Sequence, residues 1–388
     1  VSKKILIDCT SLRDQPSGVG FYTYQLIKAL NHLQKQENFE FGIYAQPSVK
    51  KWLMATFNFP KVLQNYPNRY ILPLPVTITT LLAQYSPFFL DHFSSYLNQP
   101  DLIHGTDHYV YPCRNSYKIM TIHDLTFLKY PSLSNSIVKT YTNRIKKCLD
   151  WTDLVITFSQ SSKRDIMEYL GVKSEAIFIT PEASRYSDYV LSEKSMQKLK
   201  ASIDYNFQQP YLLFVSTLEP RKNIVNLIKS FNFLKQEYGI PHNLVLIGQK
   251  GWYYNSVFKE INISKFKNNI HYLGYLSDDL VALFYSQADV FVYPSLYEGF
   301  GLPVLEAMTL GCPVVTSNNS SLPEVGGNAA IYINPHDFIS IANGIYQVID
   351  NSQFRQDLIT RGKERAQLFS WQKTAQQTLK AYQLILNN

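Results

Sequence analysis

The sequence predicts an α/β protein made of two consecutive α/β domains, and three observations predict it. Apolar runs rich in β-branched residues recur along the chain. KILID (Lys4–Asp8), DLIHG (Asp101–Gly105), YLLFVS (Tyr211–Ser216) and ADVFVYP (Ala288–Pro294) each read as a buried strand. The stretch from Ala288 to Val315 reads as strand, glycine-rich turn, helix and strand, which is one βαβ unit. From Glu182 to about Pro210 the chain turns polar, rich in Ser, Lys and Gln, and a second apolar series starts at Tyr211. A length of 388 residues leaves room for two to three domains, each with its own core. The expected division is 1–185 and 205–370, with a terminal helix over 371–388.

In the first series, Lys4–Asp8 is the first strand. Its loop ends in Ser17-Gly18-Val19-Gly20, and a helix follows to about Leu33. Gly18 and Gly20 permit close approach of a ligand to backbone at a helix N-terminus. A third glycine is missing and the loop is long, so a nicotinamide dinucleotide site is rejected. Phe41–Ala45 is a second strand. The apolar stretch Ile71–Leu90 reads as a core helix, the preferred reading, or as a surface facing an acceptor or a membrane. Strands Asp101–Gly105 and Lys118–Ile122 follow, and His123-Asp124 ends the second of them, where an open α/β sheet places its crevice. A neutral imidazole there can bond a sugar hydroxyl or a backbone carbonyl. Asp124, His104 and His108 are weaker candidates. A helix over Ser134–Leu149, a strand over Leu154–Phe158, a helix capped by Ser159 and a strand over Ile177–Thr180 complete the series.

A short helix around Lys194–Ser202 is expected within the polar stretch. The strand at Tyr211 opens into Thr217-Leu218-Glu219-Pro220-Arg221-Lys222-Asn223, and a helix runs on to about Tyr238. Arg221 and Lys222 are expected in its first turn, where cations oppose the helix dipole unless an anion sits on them. Strands Leu244–Gly248 and Asn269–Leu273 come next, then Gly274-Tyr275-Leu276 and a helix from Ser277. After the central βαβ unit come strand Ala329–Ile333, helices over Pro335–Gln367 and a last helix over Trp371–Leu386.

Chemistry concentrates between Glu298 and Gly311. The turn Glu298-Gly299-Phe300-Gly301 leads into Leu302-Pro303, and Pro303 suits the first turn of a helix. Amides at such a turn suit a phosphate. Glu298 and Glu306 flank it. On one helix, eight residues of rise would separate them by roughly 12 Å, whereas a retaining glycosidase pair stands about 5–5.5 Å apart. They therefore read as two hydroxyl-gripping groups at opposite ends of one ligand, with a diphosphate between.

Composition bounds the rest. Hydrophobic residues at 45% and charged residues at 17% suit a globular protein, and a net charge of +7 permits a polyanionic ligand or an anionic membrane surface without requiring either. The absence of a long basic run argues against nucleic acid. The four cysteines form no C-x-x-C pair, so reduced, buried thiols in the cytoplasm are expected rather than disulfides or zinc. The chain enters a strand at once and has no long apolar run, so neither a signal peptide nor a membrane-spanning helix is expected.

Glu298 to Glu306, in the context YPSLYEGFGLPVLEAM, resembles the E-x7-E motif of retaining glycosyltransferase family 4. FVSTLEPRKN (Phe214–Asn223), TIHDLTFLKYP (Thr121–Pro131) and SGVGFYT (Ser17–Thr23) resemble the mannosyltransferase-like branch of the same family. Many members have Gly-Arg where this chain has Ser216-Thr217. The resemblance implies the GT-B fold, two Rossmann-like domains facing across a cleft, with the last helix crossing back to the N-terminal, acceptor-binding domain. It implies a retaining hexosyltransferase that needs no cofactor beyond its nucleotide-diphosphate sugar, GDP or UDP, with GDP-mannose favoured. The other partner is a glycan or lipid-linked acceptor. Glu298 and His123 would be catalytic. Gly18, Gly20, Arg221, Lys222, Tyr275, Leu276, Gly299, Phe300, Gly301, Leu302 and Glu306 would bind the donor. No D-x-D occurs, so metal independence is expected. A cytoplasmic enzyme is expected, with peripheral contact at the inner membrane face left open. A UDP-sugar transferase, a nucleotide-sugar epimerase and a non-catalytic sugar-nucleotide binder are the alternatives.

Overall fold

A computed structural model describes residues 2–13, 18–34, 39–56, 58–85, 90–133 and 141–387, the side chain of residue 84 excepted. The chain divides into two compact units, Val1–Glu182 with Trp371–Asn388, and Ala183–Ser370.

The first unit is built on seven parallel strands in the order β3-β2-β1-β4-β5-β6-β7. These are β1 (Lys3–Asp8), β2 (Phe39–Ala45), β3 (Arg69–Ile71), β4 (Leu102–Gly105), β5 (Tyr117–Thr121), β6 (Leu154–Thr157) and β7 (Ile177–Ile179). Ile5 sits between Phe41 on one side and Leu102 on the other. Every residue of β4 and of β6 is buried, as strands covered by helices on both faces require. Leu6, Ile103, Met120, Val155 and Ile177 carry the core from strand to strand. The helix Trp371–Leu386 belongs to this unit and packs on the helix Gly18–Leu33, with Phe21 edge-on to Trp371 at 5.7 Å. Its Tyr382 hydroxyl bonds His104 Nδ1 at 2.7 Å inside the sheet.

The second unit has six parallel strands, ordered β10-β9-β8-β11-β12-β13. They are β8 (Tyr211–Val215), β9 (Asn243–Ile247), β10 (Ile270–Gly274), β11 (Val290–Tyr293), β12 (Val314–Ser317) and β13 (Ala330–Ile333). Both sheets reverse their strand order once, between β1 and β4 and between β8 and β11. Ligands of open α/β sheets bind outside the carboxyl ends of the strands at such a point.

Several expectations are corrected. The first helix starts at Gly18, so Gly18 and Gly20 lie in its opening turn rather than in a loop before it, and Ser17 lies outside the described residues. Arg221 and Lys222 do not stand in a helix turn. Pro220–Lys222 is a separate 3-10 turn, and Asn223, left-handed at φ 59°, divides it from the helix Ile224–Glu237. Of the expected helix Ser134–Leu149, Tyr141–Leu149 is helical and 134–140 lie outside the described residues. The Ile71–Leu90 stretch holds the helix Val76–Tyr85, which buries Thr79 and Ala83 and exposes Leu81 and Tyr85, while 86–89 lie outside the described residues. β3, the helix Val49–Leu53 and the helix Asn255–Ile263 carry no pattern strong enough to be read in advance. All four cysteines are buried free thiols. Among the described residues no helix is long and apolar enough to cross a membrane.

Candidate functional site

In the second unit, the loops that leave β8 and β11 at the point of reversal bring four charges together. The Glu298 carboxylate is 7% exposed. Its Oε1 accepts from Lys222 Nζ at 2.7 Å, Tyr293 OH at 2.9 Å and Ser295 Oγ at 2.6 Å. Its Oε2 accepts from Arg221 Nη1 at 2.7 Å. Arg221 also donates through Nε and Nη2 to Glu219 Oε1, at 3.0 and 2.7 Å, and through Nη1 to the Tyr297 carbonyl at 2.8 Å. Burial alone would raise the Glu298 carboxyl, but Arg221, Lys222 and Ser295 together pull it down to about 2. Burial, reinforced by Arg221, lowers the Lys222 ammonium, and Glu298 and Glu219 oppose the change. Glu219 and Glu298 balance the two cations, so the cluster is formally neutral. Glu219 was not anticipated, although its place two residues before Arg221 was a usable signal.

The turn after Glu298 is held by Ser321, whose Oγ donates to the carbonyls of Glu298 and Phe300 at 2.9 and 2.6 Å. Gly299 and Phe300 are buried, and the Phe300 ring packs edge-on against Phe369 at 5.8 Å. Gly301 precedes the helix Leu302–Thr309 with φ 119°, where a Cβ would also stand 3.0 Å from Leu322 Cδ2. An L side chain is strained there. Its backbone carbonyl accepts from Val304 and Leu305, while the Phe300, Gly301 and Leu302 N–H groups donate to no acceptor among the described residues. A helix start with open amides carries partial positive charge and suits an anion. Gly311, at φ 77°, follows the helix as its stop.

Glu306, on that helix, is 4% exposed. Its Oε1 accepts from Arg185 Nε at 2.7 Å, and Arg185 Nη1 donates to Asp278 Oδ1 at 2.9 Å. Burial raises the Glu306 carboxyl and Arg185 opposes it, while Glu306, with Asp278, drives the guanidinium further up. Sequence reasoning left Arg185 in a polar linker. No spacing rule ties it to a carboxylate 121 residues away. Tyr275 is 67% exposed and Leu276 half-buried, on the loop after β10.

In the first unit, His123 follows β5. Its Nε2 lies 2.8 Å from the Thr106 carbonyl, an acceptor only, so the neutral ring carries its proton on Nε2 and offers a lone pair at Nδ1. Tyr22 and Phe158 meet the ring edge-on at 5.4 and 5.0 Å. Burial lowers its pKa, while Asp107 and the Thr106 bond oppose the change. His104 is structural: Tyr382 OH and Thr121 Oγ1 flank it at 2.7 Å each, and burial, with His123 nearby, holds it down at about 3. His108 is buried, with an unmatched Nδ1, and its ring lies 5.5 Å from that of His123. Asp124 accepts from the Thr126 N–H at 2.9 Å, closing a local turn. Gly18 is exposed and Gly20 buried in the first helix turn. Among the described residues no three His, Cys, Asp or Glu side chains stand together in a way that could hold a metal ion.

The chain matches two family descriptions that together cover most of it. "Glycosyl transferases group 1" matches residues 195–365 and "Glycosyltransferase Family 4" matches residues 16–183. It is 34% identical over 286 residues to O-antigen chain mannosyltransferase B of Escherichia coli, covering 73% of this chain and 74% of that protein. It is 28% identical over 251 residues to the serotype-specific mannosyltransferase WbdA of Escherichia coli. That match covers 64% of this chain but only 31% of that longer protein. Among solved structures, Anabaena HepE in complex with UDP and glucose superposes with a TM-score of 0.73 at 17% identity, over 98% of this chain and 99% of that one. This likeness shows the fold, which is GT-B. The chain belongs to glycosyltransferase family 4 and is a hexosyltransferase.

Proposed function

We propose that the protein is a retaining, metal-independent transferase that moves mannose from GDP-mannose to a glycan or lipid-linked acceptor in polysaccharide biosynthesis. The observation that carries this reading is the Arg221–Lys222–Glu298 cluster at the reversal between β8 and β11, next to the open amides of Phe300, Gly301 and Leu302. In this reading Glu298 takes donor sugar hydroxyls and Glu306 takes the ribose. Arg221, Lys222 and the amides of the Gly299–Leu302 turn stabilise the diphosphate as it departs. Leu276 and Tyr275 lie along the nucleobase, Gly18 and Gly20 approach the donor phosphate, and His123 accepts a sugar hydroxyl at Nδ1.

The bond from the sugar C1 to the β-phosphate oxygen breaks, and the departing nucleoside diphosphate keeps the electron pair. The acceptor oxygen bonds C1 from the same face, and the leaving phosphate takes its proton. A carboxylate held at about 2 is a weak base and a weak nucleophile. That supports a gripping role for Glu298 over a covalent one.

Mannose is supported by the mannosyltransferases among the relatives, and the UDP held by HepE supplies the competing reading, a UDP-sugar donor. Calorimetric titration with GDP, UDP and ADP separates them. GDP should bind at least about tenfold tighter than UDP, or roughly 1.4 kcal/mol. Tighter binding of UDP overturns the mannose assignment, and no binding of any of the three overturns the site.

Arg185→Ala is expected to raise the donor KM about tenfold, roughly 1.4 kcal/mol, with a much smaller change in kcat. Without the guanidinium the buried Glu306 carboxyl rises further, so the loss of donor affinity should deepen as pH falls. A KM unchanged across pH would remove Glu306 from the ribose site.

A further inference from the structure

Glu219 is the member of the charged cluster to which the donor reading assigns no task. It stands between β8 and the turn Pro220–Lys222 and is 4% exposed. Main-chain bonds on both sides fix it. The Leu218 N–H donates to the Gln249 carbonyl at 2.9 Å, and the Leu218 carbonyl accepts from the Gly251 N–H at 3.0 Å. The loop after β9 therefore clasps the chain one residue before Glu219. Gly251 makes the close approach possible, since a Cβ there would stand 2.9 Å from the Leu218 carbonyl oxygen and 2.7 Å from Thr217 Cγ2. On the other side, the Glu219 carbonyl accepts from the Lys222 N–H at 3.1 Å. The side chain is held as firmly. Its Oε1 takes both Nε and Nη2 of Arg221, at 3.0 and 2.7 Å. A carboxylate held in this way cannot turn to a ligand without breaking two charged hydrogen bonds.

What Glu219 does contribute is charge. Without it, Arg221 and Lys222 would face Glu298 alone and the cluster would be cationic. With it, the sum is zero. Its field extends past Arg221: burial and Arg221 push the Lys222 ammonium down, while Glu298 and Glu219 hold it up. A nucleoside diphosphate carries several negative charges, and a cationic site sheltered from water holds such an anion strongly. Attraction of that kind acts alike on the donor and on the product. It does not speed the bond-breaking step, and it slows departure of the product. Donors aimed at the leaving group help the transition state, whereas surplus net charge does not. A neutral cluster with fixed donors supplies the first without the second.

We propose that Glu219 is a positioning residue for product release: acting through Arg221, it cancels the surplus positive charge of the cluster, so that the nucleoside diphosphate is held loosely enough to leave. This rests on the donor reading above and gives Glu219 no contact with the donor.

The test is calorimetric titration of the full chain with GDP and with UDP, together with the dissociation rate of the tighter nucleotide by surface plasmon resonance. Glu219→Gln keeps an oxygen for Arg221 Nε and Nη2 and removes only the charge. It should bind that nucleotide at least about fivefold tighter than the wild type and release it correspondingly more slowly. Glu219→Asp keeps the charge on a shorter side chain and should stay within about threefold of the wild type. A purely structural role predicts the opposite sign, with a lower melting temperature and weaker nucleotide binding in both variants. A smaller gain in the glutamine variant, or a loss, overturns the proposal. An aspartate variant outside the threefold range overturns it too, and that variant carries the test alone if the glutamine variant does not melt cooperatively. Failure of the donor reading shows separately, as a wild-type chain that binds neither nucleotide.

Discussion

Glu298→Gln is expected to lower kcat by about 10²–10³-fold, the scale of losing one preorganised polar group at a reacting centre, while the chain still folds. Glutamine keeps the size of the side chain and an oxygen for Lys222 and Ser295. It presents an N–H where Arg221 needs an acceptor, and Arg221 retains Glu219 and the Tyr297 carbonyl. Glu298→Ala is the poorer experiment. It strips the carboxylate from a Lys222 that is 5% exposed, and breaking a buried pair costs about 3–5 kcal/mol. Lost folding would then mimic lost catalysis. The pH dependence adds an independent readout. In the folded chain the Glu298 carboxyl lies at about 2, below the roughly 4.3 of an unfolded glutamate. Its contribution to stability is therefore present above about pH 4.3 and is lost as pH falls towards 2. The stability difference between wild type and Glu298→Gln should narrow over that window. Turnover within about threefold of wild type would remove Glu298 from the reacting centre.

Lys222→Met should abolish most transfer and destabilise the second unit by about 3 kcal/mol, the lower end for breaking a buried ion pair, because Arg221, Tyr293 and Ser295 still hold Glu298. Lys222 Nζ donates to both Tyr293 OH and Glu298 Oε1, at 2.6 and 2.7 Å, and lies 5.1 Å from the Tyr293 ring centre. Methionine fills the space of the stem without the charge. The double variant Glu298→Gln/Lys222→Met should be less damaging than the two losses summed, with a coupling of at least about 1 kcal/mol. Thermal melts of the two single variants and the double variant measure it. Strict additivity would mean that the contact contributes nothing to stability.

Much of the second unit was legible because its signals are local. Pro303 and Gly311 mark the ends of one helix, Ser277 caps another through the Leu280 N–H, and VFVY is buried at every position. In the first unit the same holds for Ser159, which caps its helix through the Ser162 N–H at 3.0 Å, as its neighbours suggest. The edge strand Arg69–Ile71 was not legible, since three residues with no alternation carry too little information. The setting of Arg221 and Lys222 was misjudged for a different reason. Proline at 220 is compatible with a helix start, but a left-handed Asn223 separates the turn from the helix, and that choice is made by Asn223 Nδ2 reaching the carbonyls of Pro294 and Pro335.

Residue order alone determined two α/β series, the glycine turn between Glu298 and Leu302, and the family whose motifs recur along the chain. Those features follow from short-range sterics and from the period of apolar residues, which a linear text records. Tertiary structure alone decided that Glu298 rests against Arg221 and Lys222, that Glu219 balances the charge, and that Arg185 finds Glu306. Burial strengthens electrostatic and hydrogen-bonding demands on whichever groups the folded sheets bring together, and that pairing is set by distance in space rather than along the chain.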